Sequence, residues 1–296
     1  MEPVSSSSST PKVFSSPQEL SEVTAEIRSS GKRIALVPTM GALHEGHLTL
    51  VRAAKKMENA VVAVSIFVNP LQFGPDEDLD TYPRTMEDDI AKLAEEGVDM
   101  VFTPTPETMY PNGFRTTIDP GPLAKELEGA TRPGHFAGAL TVCTKLFSLT
   151  HCTDAFFGEK DYQQLILMQE MVEDLNLPLT LHPIPIVREN SGLALSSRNR
   201  YLSVEENELA TKLSEALYAG RKAADDGLTA GEIRGAVFSY LEQFPEIDIE
   251  YVELRDARLG KIEDLTDTGE VECRLLLAAR IGSTRLIDNM GVTLQR

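Results

Sequence analysis

Two histidines set three apart, His44 and His47, follow Pro38-Thr39-Met40-Gly41-Ala42-Leu43 and open a stretch with helical period. Residues three apart share a helix face, so both imidazoles can reach one anion. Gly41 lets backbone approach a phosphate, and Gly46 keeps the first helical turn bare enough for a ribose or base. A zinc protease would need His-Glu-x-x-His, but position 48 is Leu, and the glycine-rich loop ending in Gly-Lys-Ser or Gly-Lys-Thr is absent. A structural histidine pair is the competing explanation. The placement of the pair directly after a predicted strand favours a phosphate site.

Three more polar clusters could join this chemistry. Asn69-Pro70-Leu71-Gln72-Phe73 carries amides that pair with hydroxyls or carboxylates, as does Gln164. Phe157-Gly158-Glu159-Lys160-Asp161 puts a cation and a glycine after an apolar run, where an ordinary solvated turn is the alternative. Ser196-Ser197-Arg198, after Leu195, offers two hydroxyls and a guanidinium that binds phosphate oxygens two at a time; a helix cap is the alternative. Asp88 and Asp89 could hold magnesium, but acidic residues early in a helix are favoured by its dipole. Cys143 is better explained as a core thiol than as a nucleophile.

The elements that position these clusters alternate. Ile34 to Val37 reads as a strand, Glu45 to Lys56 as a helix, and the β-branched Ala60 to Phe67 as a strand buried on both faces. A helix from about Thr85, whose hydroxyl can cap it, runs to Glu96, and Met100 to Phe102 is a third strand. Residues 103–138 are expected to be irregular, with a short strand near Thr116 to Ile118. A helix at Ala139–Ser148, a strand at Asp154–Phe157, a helix at Tyr162–Leu175 and a strand near Thr180–Ile186 continue the pattern. After Arg200 two helices, Val204–Asp226 and Ala230–Gln243, precede consecutive strands at Ile247–Arg255, Cys273–Ala279 and Thr284–Asp288.

The expected fold class is therefore α/β: a Rossmann-type parallel sheet over residues 13–187, followed by a smaller α+β domain over residues 188–296. In such a sheet ligands collect at the carboxyl ends of the strands, where the His44, Asn69 and Lys160 clusters fall.

Bulk properties exclude several classes. The 296 residues carry 46 Asp and Glu against 28 Lys and Arg, a net charge of −18 that would repel nucleic acid. No apolar run is long enough to span a membrane. Three cysteines without a Cys-x-x-Cys pair suit a reducing, cytoplasmic setting. The serine-rich residues 1–12 lack the basic and apolar regions of a secretory signal and are expected to be an unordered tail.

With His44-Glu45-Gly46-His47, Asn69 to Phe73, Phe157 to Gln164 and Ser196-Ser197-Arg198-Asn199-Arg200-Tyr201 in this order, the chain closely resembles the pantothenate synthetase (pantoate-beta-alanine ligase, AMP-forming) family from about Val13 to Asn289. The resemblance implies a Rossmann-type domain, a smaller domain that closes over the active site, a homodimer, and MgATP, pantoate and beta-alanine as reactants. It places Met40, Gly41, His44, Gly46 and His47 at ATP, with Gly158, Glu159, Lys160, Asp161, Val187, Leu195, Ser196, Ser197 and Arg198. His47, His44, Lys160 and Arg198 are the implied catalytic set. Asn69, Gln72 and Gln164 are implied at pantoate, with Arg132 and His135 as weaker organisers. Two departures stand out: position 92, an oxygen ligand after the acidic pair in some relatives, is Lys here, and position 195, often Met, is Leu. A nucleotidyltransferase that adenylylates a phosphorylated cofactor, a tRNA synthetase fragment and a non-catalytic nucleotide-binding protein are the rival explanations.

Overall fold

The computed structural model describes residues 10–75, 77–264 and 269–295. Most of the serine-rich lead, residues 1–9, lies outside the described residues; the chain enters with Thr10 and Pro11 and begins a strand at Lys12.

Two compact units partition these residues, one running to Glu159 and again over Leu167–Pro185, the other comprising Lys160–Ile166 and Ile186 onward. The first unit is built on a six-stranded sheet of order β1-β4-β3-β2-β5-β6. Its strands are β1 (Lys12–Phe14), β2 (Arg33–Thr39), β3 (Ala60–Ile66), β4 (Met100–Phe102), β5 (Asp154–Gly158) and β6 (Thr180–Ile184), and all neighbouring pairs are parallel. The helices are α1 (Pro17–Ser29), α2 (Glu45–Lys55), α3 (Met86–Glu95), the short α4 (Pro106–Met109) and α5 (Glu128–Thr131), α6 (His135–Thr150) and α7 (Tyr162–Asp174), the last divided between the units at Ile166. Apolar side chains of β2, β3 and α2, among them Val37, Val64, Val51 and Ala54, close one core. Chain order runs outward from β2 to β3 and β4 on one side and from β5 to β6 on the other, so the switch point of the sheet lies between β2 and β5.

The second unit packs α8 (Val204–Asp225) and α9 (Ala230–Leu241) on an antiparallel sheet of β7 (Ile247–Asp256), β8 (Glu270–Ile281) and β9 (Thr284–Gln295). Leu213, Leu217, Val237, Leu275 and Leu277 fill its core. Gly220 lets α8 approach closely: a β-carbon there would stand 2.5 Å from Leu275 and 2.6 Å from Val237.

Three local expectations need correction. No strand forms at Thr116 to Ile118, because the Ile118 N–H donates to the Thr141 hydroxyl on α6 rather than to a neighbouring strand. Residues 103–138 contain α4 and α5, the first held by a reciprocal Thr105–Thr108 cap. Thr85 stands at the N-terminus of α3, yet its buried hydroxyl caps nothing and finds no partner among the described residues. β1 and α1 went unread in the sequence, although Ser16 capping the Glu19 N–H with Pro17 at the first helical position is a recognisable helix start.

Candidate active site

The loop between β2 and α2 lies at the carboxyl edge of β2, beside the switch point. Gly41 and Ala42 both take left-handed backbone, φ 84° and 51°, which turns successive N–H groups to one side. Such a concavity attracts an anion, and here the chain supplies its own. The fully buried Asp89 carboxylate of α3 accepts the Ala42 N–H at 2.9 Å and the Leu43 N–H at 2.8 Å. Lys92, one turn on, donates to the Leu43 carbonyl at 2.8 Å. Glycine suits φ 84° at position 41, and a β-carbon there would crowd the Ile66 and Asp89 side chains at 3.0 and 3.1 Å.

The histidines occupy the next two backbone donors. His44 is the N-cap of α2 rather than a residue within it, and its Nδ1 accepts the Gly46 N–H at 3.2 Å. His47 Nδ1 in turn takes the His44 N–H at 3.4 Å. The Gly41 N–H donates to the Thr39 hydroxyl at 3.3 Å. The sequence suggests a loop whose backbone cradles phosphate, but the structure commits the N–H groups of residues 41 to 44 and 46 internally. The imidazoles are what the loop offers instead. With each Nδ1 accepting, the proton of each neutral ring sits on Nε2, giving two N–H donors on rings whose centroids are 4.1 Å apart.

At the end of β3, Asn69 is fully buried and bonded from both ends of its amide. Its Oδ1 accepts the Tyr110 hydroxyl at 2.7 Å and the Leu71 N–H, while Nδ2 donates to Gln72 Oε1 at 3.0 Å and to the Gly138 carbonyl. Gln72 Nε2 reaches Met40 Sδ at 3.1 Å, which joins this cluster to the histidine loop. Gly138 makes the close approach possible, since a β-carbon would fall 2.1 Å from the Leu71 carbonyl oxygen. His135 Nδ1 donates to the Gln72 carbonyl at 2.8 Å, Arg132 donates to His135 Nε2, and Glu77 receives Arg132 bidentately. Arg132 and His135 thus organise the Gln72 backbone. Tyr110 was missed in the sequence because it lies 41 residues from Asn69 in an unpatterned loop. Burial, with the Cys143 thiol nearby, holds its hydroxyl protonated far above the ordinary range.

Gly158 ends β5, on the strand next to β2, and Glu159 follows in a single turn. Lys160, Asp161 and Gln164 belong to the second unit. There the Lys160 carbonyl accepts the Asn289 amide at 2.8 Å, and Asn289 Oδ1 accepts Arg274 Nε at 2.7 Å. The Arg274 guanidinium stacks 4.1 Å from the Tyr162 ring, whose hydroxyl donates to the Ala257 carbonyl. Tyr162 lies within the Phe157 to Gln164 motif, whereas Asn289 and Arg274 carried no local signal, being tied to Lys160 only through the three-stranded sheet.

Val187 and Leu195 face across a tight turn, the Leu195 N–H donating to the Val187 carbonyl at 3.0 Å. Arg188 pins that turn to Asp288 and the Gly192 carbonyl. Burial pulls the Arg188 pKa down, but its bonds to Asp288 more than offset this and leave it raised. Ser196 then caps a short turn over Ser197–Tyr201, its hydroxyl accepting the Arg198 N–H at 3.2 Å. Ser197 is buried and Arg198 half-buried.

The acidic pair does not fit a protein-held magnesium ion. Asp89 has an N–H on each oxygen, Asp88 is exposed, and Lys92 puts a cation where a third ligand would be needed. Among the described residues no group of three His, Cys, Asp or Glu could hold a metal ion. Cys143 is buried, and burial pushes its thiol up to about 12, so it is an inert core residue.

Fold and site together define a Rossmann-type α/β protein with paired imidazole donors at the switch point of its sheet. The pantoate-beta-alanine ligase family model matches residues 12–291. The pantothenate synthetase of Mycolicibacterium smegmatis is 55% identical over 95% of this chain and 87% of its own length. That of Corynebacterium jeikeium is 57% identical over 96% and 90%. The crystal structure of pantothenate synthetase from Thermus thermophilus matches with a TM-score of 0.85 at 44% identity, covering 94% of this chain and 98% of that one. The Francisella tularensis ligase, complexed with beta-gamma ATP and beta-alanine, matches with a TM-score of 0.77 at 36% identity over 95% and 97%. The chain belongs to the pantoate-beta-alanine ligase family and is a carbon–nitrogen ligase.

Proposed function

We propose that the chain condenses pantoate with beta-alanine in two steps, using MgATP. The pantoate carboxylate attacks the α-phosphorus, the bond to the bridging oxygen breaks, and pyrophosphate leaves. The beta-alanine amine then attacks the acyl carbon of pantoyl adenylate, AMP departs with the electron pair of the acyl–oxygen bond, and the proton lost by nitrogen is released to solvent. A carboxylate is a poor electrophile, and the mixed anhydride makes the amine attack feasible. Transfer at phosphorus asks mainly for alignment and charge neutralisation, and pantoate needs no base because it is already anionic.

One observation carries this reading: the His44 and His47 rings lie 4.1 Å apart with both Nδ1 atoms occupied by backbone N–H groups. Their Nε2–H donors are thus preset to meet negative charge that builds as pyrophosphate leaves. Lys160 and Arg198 supply cationic charge to the same ATP, with Met40, Gly41, Gly46, Gly158, Glu159, Asp161, Val187, Leu195, Ser196 and Ser197 around it. Asn69, Gln72 and Gln164 hold pantoate, Asn69 by aiming the Gln72 amide. Magnesium arrives as part of MgATP rather than on protein carboxylates. The enzyme works in the cytoplasm, a reading supported by three buried cysteines that form no disulfide, and as a homodimer, as the family resemblance implies.

The experiment is exchange of labelled pyrophosphate into ATP. Pantoate should support exchange without beta-alanine, and absence of exchange in folded protein would overturn the adenylate mechanism. Elution at the mass of a single chain in size-exclusion chromatography would overturn the dimer.

A further inference from the structure

We infer that Asp89 and Lys92 are positioning residues for the two histidines, a role that rests on the ligase reading. Neither reaches the phosphate chemistry itself. Together they grip the Ala42–Leu43 segment through both of its polarities: Asp89 takes two N–H groups at 2.9 and 2.8 Å, and Lys92 gives a proton to the Leu43 carbonyl at 2.8 Å. That segment needs gripping. Ala42, a residue with a β-carbon, sits at φ 51°, a backbone state that favours glycine, directly after Gly41 at φ 84°. A non-glycine residue in that state persists where surrounding contacts over-determine it.

Beyond Ala42 and Leu43 comes His44, whose ring caps α2, and then His47, whose ring caps His44. Any rotation at Ala42 and Leu43 therefore moves the His44 backbone, loosens the N–H that fixes His47 Nδ1, and mixes the tautomers of both rings. Asp89 suits its task for two reasons. It lies in the first turn of α3, where the helix dipole stabilises a carboxylate, and it is fully buried, so solvent does not compete for the two N–H groups. Lys92 lies one turn further along the same helix and supplies the one donor the segment's carbonyl needs. The pair also prevents the left-handed turn from taking a phosphate, which leaves that contact to the imidazoles.

Asp89→Asn keeps the side chain's size but sets an amide N–H2 against a backbone N–H. Pantoate-dependent pyrophosphate exchange should lose ~10²-fold in kcat, the scale of a misplacement of about an ångström, with little change in KM for pantoate. Lys92→Met should lose on the order of tenfold, and Lys92→Arg, which keeps a donor, should restore most of it. In a His47→Ala background the Asp89→Asn loss should shrink, because one of the two histidines being positioned is gone. A residue serving only stability would instead lower the thermal midpoint and leave kcat of the folded protein intact. Full exchange by Asp89→Asn, or an undiminished loss in the His47→Ala background, would overturn the assignment. Imidazole nitrogen NMR tests the brace without turnover, so failure of the ligase reading stays separable. The parent should show Nε2–H tautomers at His44 and His47, and Asp89→Asn a mixture. Unchanged tautomers in the variant would overturn the brace.

Discussion

The two ends of the parallel sheet solve opposite problems with similar residues. At the carboxyl end, His44 and His47 are satisfied by backbone N–H groups on Nδ1, which sets the other nitrogen of each ring as a donor. At the amino end, Asp154 opens β5 fully buried and is matched by side chains: bidentately by Arg33 from the first residue of β2, by His182 Nε2 at 2.8 Å from β6, and by its neighbour Thr153. The His182 ring also stacks on Phe156 at 4.6 Å. A charge met by a guanidinium and by further side-chain hydrogen bonds stabilises the sheet. Rings oriented through Nδ1 by backbone N–H groups present their other nitrogen as a donor to a substrate's charge. The contrast predicts that the carboxyl end responds to mutation in rate and the amino end in stability.

The sharpest break should come at His47. His47→Ala should reduce pantoate-dependent pyrophosphate exchange by ~10²–10³-fold, the cost of one donor aimed at developing charge. Its thermal midpoint should stay close to the parent's, because the lost Nδ1 contact is long at 3.4 Å and lies at a half-exposed helix start. A stability loss without a rate loss would make the pair structural and erase the difference between the two ends.

Asp154→Asn should behave the opposite way. Replacing one carboxylate oxygen with an N–H2 removes the charge and leaves Arg33, Thr153 and His182 a single acceptor between them, at a cost of about 1–3 kcal/mol, reduced because Arg33 and His182 reach solvent. That corresponds to several degrees in Tm by calorimetry, with kcat close to the parent's. The same carboxylate gives the molecule an acid limit. Burial raises its pKa, but hydrogen bonds from His182, Thr153 and Arg33 outweigh this and hold it below the ordinary 3.8. Its stabilisation is thus fully present above that value and is lost as pH falls through the lower folded value. Acid titration of unfolding in the parent and in Asp154→Asn should converge below pH ~3.8. Parallel curves throughout would remove Asp154 from the acid response.

Much of this was legible in the sequence, for reasons that differ by element. The β-branched Val61, Val62, Val64 and Ile66 announce β3, and the capping signals Ser203 with Glu206 and Thr229 with Glu232 announce α8 and α9. The histidine pair was visible because both members sit on one short segment. Its support was not. Asp89 lies 47 residues from Ala42, and Asn289 lies 129 from Lys160, so these bonds exist only once the sheets have formed. The acidic Asp88-Asp89 pair suggests a helix-dipole effect more strongly than metal ligation, and only burial and its two N–H bonds show that Asp89 serves a turn on another element. Thr85 misleads for the converse reason, since its type suits a cap but the fold turns its hydroxyl elsewhere.

The smallest predicted effect tests which task Asn69 performs. Its amide is occupied on both sides, by Tyr110 and Leu71 on the oxygen and by Gln72 and Gly138 on the nitrogen, so it meets a substrate only through what it aims. Gln72 has two faces in this arrangement, one toward pantoate in the proposed assignment and one toward Met40 Sδ and the histidine loop. Tyr110→Phe removes a single hydrogen bond and keeps the ring that packs on Phe67 and Phe114. The cost of about 0.5–1.5 kcal/mol corresponds to roughly a two- to tenfold effect. If Asn69 serves pantoate, that loss falls on KM for pantoate and leaves kcat nearly unchanged. A fall in kcat at constant KM would reassign the Tyr110–Asn69–Gln72 chain to Met40 and the imidazoles. The network at the end of β3 would then be a second brace on the loop that Asp89 and Lys92 hold from α3.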